Sequence, residues 1–189
     1  MTKRGPGRPS ANTEAVSPSK ILSEALAILD AKGLEGLTMR ALAARVGINP
    51  MTIYHHFVDR DGLTRALADS VYSAVHPPED GDPRARVAGL IAAYHSEVLK
   101  HPALTLAIFS RPSVFPGHAR RITSDLNKLL EEAGLSPDRS QLWGHILVDY
   151  THGAALAVAL AGEHNLSQSP SPNTGDSFDD GLNELLKAL

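Results

Sequence analysis

The chain has 189 residues, 42% of them hydrophobic, which is enough to bury a core. It contains no cysteine, so disulfides, thiolate metal sites and cysteine nucleophiles are excluded. Net charge is −3 but unevenly placed: nine basic residues stand against seven acidic ones through His76, and nine against fourteen from Pro77 onward.

Residues 1–17, MTKRGPGRPSANTEAVS, show no apolar periodicity and are rich in Gly, Pro and small polar residues, the composition of a flexible arm. The first four basic residues, Lys3, Arg4, Arg8 and Lys20, meet only one acid, Glu14, so this end is the most positive part of the chain. No apolar core follows the basic start and no run of about 18 apolar residues occurs. Neither secretion nor a membrane span is expected, and the cytoplasm is the default location.

From Pro18 the apolar residues Ile21, Leu22, Ala25, Leu26, Ile28 and Leu29 recur at helical spacing, with Ser17 as cap and Gly33 as stop. Thr38 caps a second helix over Met39 to Val46, and Gly47 ends it. A third, short helix runs from about Asn49 to His56, and a fourth, opened by Asp59, continues to the Pro-rich acidic break HPPEDGDP at residues 76–83. That break is the expected boundary between a domain of residues 18–76 and one of residues 77–189. Helical patterns follow over about Pro83–Lys100, after Pro102, over His118–Ala133 and over Pro137–Glu163; residues 165–177 read as a polar, disordered loop before the amphipathic FDDGLNELLKAL. With no repeat and no alternating apolar stretch, the expected class is all-α.

TMRALAARVGINPMTIYHHF, residues 38–57, carries the strongest signal. Two helices joined by a tight turn need a small residue where they cross, a turn residue that tolerates positive φ and an apolar anchor on the second helix; Ala43, Gly47 and Ile53 fall at those places. Asn49, Met51, Thr52, Tyr54, His55 and His56 then face outward. An α-helix fits the major groove of B-DNA, with the preceding helix across the backbone. Asn49, Pro50, Met51, Thr52 and His55 are candidates for base edges, Thr38, Tyr54, His56 and Arg60 for phosphates, and Arg40 for a phosphate or a guanine edge. A tight corner within another kind of helical domain would give the same pattern.

GLEGLTMRALAARVGI, residues 33–48, and TIYHHFVDRDGL, residues 52–63, resemble the DNA-binding domain of the TetR/AcrR family of bacterial transcriptional regulators. The resemblance covers residues 18–68 and implies an N-terminal helix-turn-helix domain joined to a C-terminal antiparallel helical domain for ligand binding and dimerisation. It places Thr38, Met39 and Arg40 at the start of the second helix and Asn49, Pro50, Met51, Thr52, Tyr54, His55 and His56 on the recognition helix. Arg60 takes the position where the family usually has a phosphate-clamping lysine. GPGRPS, residues 5–10, resembles the glycine–arginine–proline core of minor-groove arms, although a flexible leader fits it equally.

In the second half, HGAALAVALAG (residues 152–162) is small and apolar on most sides, and Leu182, Leu185, Leu186 and Leu189 form a stripe; together they are the expected two-fold dimer interface. Phe109, Phe115, Trp143, Asp149, Tyr150 and His152 are the candidate lining of a small-molecule pocket. His145, Asp149 and His152 share a helical face at i, i+4 and i+7, a spacing open to pocket lining or metal ligation; pocket lining is preferred, and no metal or other cofactor is expected. SRPS (residues 110–113), LEEAGLSPDRSQLW and HGAAL also loosely resemble the regulatory domain of the family's tetracycline-responsive repressors. Ala107 stands where those repressors place a metal-chelate-binding histidine, so an inducer pocket without a tetracycline–magnesium site is expected.

The function so implied is a ligand-responsive, DNA-binding transcriptional regulator, a homodimeric repressor released from a palindromic operator by a small-molecule inducer of unknown identity. An enzyme is the competing class, but no Gly-rich phosphate loop, G-x-S-x-G or H-E-x-x-H occurs. A helical interaction or small-molecule-binding protein whose helix-turn-helix does not act on DNA is the third.

Overall fold

The computed structural model describes residues 16–111, 116–164 and 174–189, so Arg4, Arg8 and Phe115 lie outside the described residues. Every regular element among them is a helix: α1 Pro18–Gly36, α2 Met39–Val46, α3 Pro50–Phe57, α4 Arg60–Tyr72, α5 Pro83–Lys100, α6 Pro102–Phe109, α7 Gly117–Glu132, α8 Pro137–His164 and α9 Thr174–Lys187.

Each of the first four helices starts on a side-chain cap that satisfies an otherwise orphaned amide. Ser17 accepts from Lys20 N, Thr38 from Ala41 N at 3.1 Å, Asn49 from Met51 N at 2.9 Å and Asp59 from Gly62 N at 2.7 Å. Two boundaries differ from the sequence expectation. Helical geometry breaks at Gly33 (φ 63°, ψ −172°), but one more turn follows to Gly36 before Leu37 enters the core. Helix α9 begins at Thr174, inside the stretch expected as loop. Polar residues are as common in a helix's first turn as in loops, so composition does not separate the two.

Helices α1 to α4 close around Ile21, Ile28, Leu29, Leu42, Ile53 and Leu67, all essentially inaccessible. In the remainder, α5, α7 and α8 pack on one another, and α9 lies against α5 and α8. The two halves meet where α1 packs on α6 and α4 on α6 and α7. There His101 Nδ1 of the α5–α6 junction pairs with Asp30 Oδ2 of α1 at 2.9 Å, and Arg111 pairs with Asp61 of α4.

Candidate nucleic-acid interface and buried cavity

Helices α2 and α3 are each eight residues long and are held by their inner faces alone. Gly47 takes the left-handed conformation (φ 76°, ψ 32°) and donates its N–H to Ala43 O at 2.9 Å, while Ile48 N reaches the same carbonyl at 3.0 Å. A residue without Cβ adopts that conformation at least cost. Ala43 is buried at the crossing, and Ile53 and Phe57 anchor α3 below. The opposite face of α3 is open: Asn49, His55 and His56 are exposed, Thr52 and Pro50 half-buried, and Met51 and Tyr54 remain 58% and 41% accessible. Large apolar side chains this exposed on a short helix, interleaved with polar ones, form a surface with both methyl-sized and hydrogen-bonding contacts to offer.

Thr38 and Arg40 stand exposed at the start of α2, beside that face. Two expected contacts need correction. Met39 is 9% exposed and belongs to the core, because the first residue of α2 turns inward. Arg60 is half-buried, and its guanidinium donates to Leu34 O, so it caps the last turn of α1 instead of standing free beside α3. Asn49 spends its side-chain oxygen on Met51 N, leaving its amide nitrogen for an outside acceptor. Behind α2, Glu24 accepts from Lys20 Nζ at 2.6 Å and Arg45 Nε at 2.5 Å, and these two bonds hold its carboxyl down at about 2.

A cavity with about 50 Å³ of room opens among α4, α5, α6, α7 and α8. Of the expected pocket residues it brings together Phe109 and His152, whose rings meet edge to face at 4.7 Å. Trp143, Asp149 and Tyr150 do not line it. Asp149 is exposed, and Tyr150 stacks on Phe178 and donates to Phe178 O at 3.1 Å, fastening α9 to α8. Along α8 the face shared by His145, Asp149 and His152 is open at its first two members and buried at its third, so the three do not converge. No cluster of three potential metal ligands exists among the described residues.

Sequence reading places His152 in this cavity but not the pairing of its polar groups. Tyr94 OH lies 2.6 Å from His152 Nε2, and Tyr72 OH lies 3.5 Å from Thr105 Oγ1. Burial pushes both phenols up and the His152 imidazole down, so all three are uncharged at neutral pH. Tyr72 and Tyr94 sit on the inner faces of their helices at core spacing, where a phenol is indistinguishable in sequence from a packing residue.

The expected dimer stripe is only partly free. Leu182, Leu186 and Ala155 are buried within the chain's own core, whereas Gly153 and Ala157 are exposed one turn apart on α8.

Comparison with known proteins adds to this geometry. Residues 21–67 match the profile described as bacterial regulatory proteins, tetR family. The class A tetracycline repressor from transposon 1721 of Escherichia coli is 30% identical over 90 residues, 46% of this chain and 42% of that protein. The HTH-type transcriptional repressor DrrR1 of Streptomyces coeruleorubidus is 32% identical over 140 residues, 72% of this chain and 51% of its own. The chain thus spans about half the length of these curated relatives. Mycobacterium smegmatis BioQ has the same fold, with a TM-score of 0.80 at 22% identity over 92% of this chain and 97% of BioQ. A BioQ structure solved with its double-stranded DNA operator superposes with a TM-score of 0.74. Among the described residues no helix is long and apolar enough to cross a membrane.

Proposed function

We propose that the chain, whose residues 21–67 match the tetR family of bacterial regulatory proteins, is a member of that family and a ligand-responsive transcriptional repressor, not an enzyme, that binds duplex DNA as a homodimer in the cytoplasm. The observation that carries the reading is the outer face of α3, where Met51, Tyr54, His55 and His56 stay exposed although the helix is locked from behind by Ile53 and Phe57. A helix presented in this way enters a major groove, with Thr38 and Arg40 of α2 beside the flanking phosphates. The relatives named for repression, and BioQ with its operator, support the same use of this surface.

One such unit touches few base pairs, and two held about 34 Å apart read a palindrome. The exposed small residues Gly153 and Ala157 let α8 approach its counterpart closely, with α9 alongside. A ligand in the cavity acts through α4, which supplies Tyr72 to the cavity wall and Asp59 as the cap that follows α3. It favours the dimer state whose recognition helices no longer match successive grooves, in proportion to its differential affinity.

The test is a gel shift against a randomised duplex pool at several salt concentrations. The protein selects a palindromic site, and log affinity falls linearly with log salt. Tyr54→Ala weakens the selected site by about tenfold or more, and Arg40→Ala reduces the salt slope by about 1. Equal binding to all sequences, or none, removes this function.

A further inference from the structure

We propose that the cavity takes an uncharged aromatic molecule bearing one hydrogen-bonding oxygen, a hydroxyl or a carbonyl, and that the Tyr72–Thr105 and Tyr94–His152 pairs recognise that oxygen. The proposal rests on the regulator reading only in supposing that the cavity exists to be filled.

Charge is decided by the lining. None of the described residues that line the cavity is acidic or a lysine or arginine. A carboxylate or ammonium moved here would leave water with no counter-ion in that lining, which burial penalises heavily. The titratable groups that do face the space are held neutral by the same burial.

Shape is decided by the aromatic walls. Tyr72 meets Tyr94 edge to face with centroids 5.4 Å apart, Tyr94 meets His152 at 5.5 Å, and His152 meets Phe109 at 4.7 Å. A flat ring continues this series of edge-to-face contacts. Phe109 is 52% exposed at the mouth, so a ligand larger than the present room enters by displacing that ring.

The oxygen is decided by incomplete pairing. Tyr94 pairs with His152 at 2.6 Å and also hydrogen-bonds Tyr72, whereas Thr105 Oγ1 meets Tyr72 OH only at 3.5 Å, beyond the 2.5–3.0 Å of a good hydroxyl pair. Tyr72 and Thr105 are both only 2% exposed. A ligand oxygen beside these hydroxyls replaces the long Tyr72–Thr105 contact with short hydrogen bonds.

Equilibrium dialysis of the full chain near neutral pH tests this with 2-naphthol, naphthalene, 2-naphthoate and 2-naphthylmethylammonium. Naphthol is retained at least tenfold more tightly than either ion and about tenfold more tightly than naphthalene. In Tyr72→Phe, which keeps the ring and the fold, naphthol falls to the naphthalene level while naphthalene itself is unchanged. His152→Phe, a second variant that preserves the ring contacts, narrows the same ratio. Preference for an ion, an unchanged ratio in both variants, or no retention of any probe overturns the proposal. Operator binding by the same preparations is read separately. A protein that discriminates the probes but shifts no DNA overturns the regulator reading and leaves the ligand class standing, whereas one that shifts DNA but holds no naphthol overturns the ligand class alone.

Discussion

At the scale of single residues, the turn after α3 is the tightest spot in the reading head. Val58 has φ 64° and ψ −55°, and Asp59 N bonds Phe57 O at 2.7 Å across it, a γ-turn that a β-branched residue adopts only under strain. Its side chain is 77% exposed, so no packing is lost on removing it. Val58→Gly therefore raises stability by about 1 kcal/mol, the relieved strain exceeding the added freedom of the unfolded chain, and a urea midpoint measures it. Gly62 lies in the opposite situation. A Cβ there would stand 2.0 Å from Phe57 O, so Gly62→Ala forces α4 away from the end of α3. A loss of about 2 kcal/mol is expected, with a larger fractional loss of operator affinity than of bulk stability, because α4 backs the end of α3, the helix that carries Tyr54 and His55. Neither position is visible in the sequence. Valine gives no hint of positive φ, and Gly62 reads as an ordinary helix-weakening glycine until the Phe57 carbonyl is placed beside it.

At the scale of elements, what the sequence makes legible is what local chemistry decides. The caps Ser17, Thr38 and Asp59 and the stop at Gly47 stand where they are read, because a cap is a bond between residues two or three apart. The outward face of α3 is legible for the same reason: Ile53 and Phe57 fix one side of the helix and leave the other. The cavity is not legible, because its wall is assembled from five helices and periodicity says only that Tyr72 and Tyr94 face inward. Nor is the tie between α4 and α7. Arg121 of α7 donates to Tyr72 O at 3.2 Å and Val75 O at 2.7 Å, and to His76 Nδ1 at 3.0 Å, holding the C-terminal end of α4. Asp69 of α4 accepts from His118 N at 2.9 Å, at the start of α7, whose preceding Pro116 provides no side-chain cap. The next residues of α7, Ala119, Ile122 and Thr123, line the cavity. Arg121→Met keeps the stem and removes the donors, orphaning the Val75 carbonyl while Tyr72 O keeps Val75 N, for a loss of about 1–3 kcal/mol. Operator binding without ligand is retained, while the ligand concentration needed to release the operator rises. An unchanged release curve would show that α4 is moved by another route.

At the scale of the whole molecule, acid weakens the fold at two separate points, and the sign follows from which state holds the proton. His152, pressed among Tyr94 and Phe109, and His95, stacked on Phe178 at 3.6 Å, are both held below the ordinary 6.5 by burial, opposed by Asp149 and Asp179 respectively. Above 6.5 both are neutral whether folded or not, and they contribute no pH dependence. As pH falls through 6.5 the unfolded chain takes up protons that the folded chain refuses, so stability declines until the folded values are passed. Glu24 acts lower. Its stabilisation between Lys20 and Arg45 is fully present above its ordinary 4.5 and is lost as pH falls toward about 2. Urea midpoints recorded from neutral pH downward therefore show a first decline that starts near pH 6.5 and a second below about pH 4.5. His95→Phe, which keeps the stack on Phe178, shrinks the first to the share His152 contributes without touching the second, and Glu24→Gln removes the second without touching the first. Because His95 tethers α9 and Glu24 braces α1 against α2, the first decline exposes the dimerisation side of the protein and the second the reading head. Subunit dissociation is thus expected to precede loss of helix-turn-helix structure on acidification, an order that sedimentation velocity beside circular dichroism resolves.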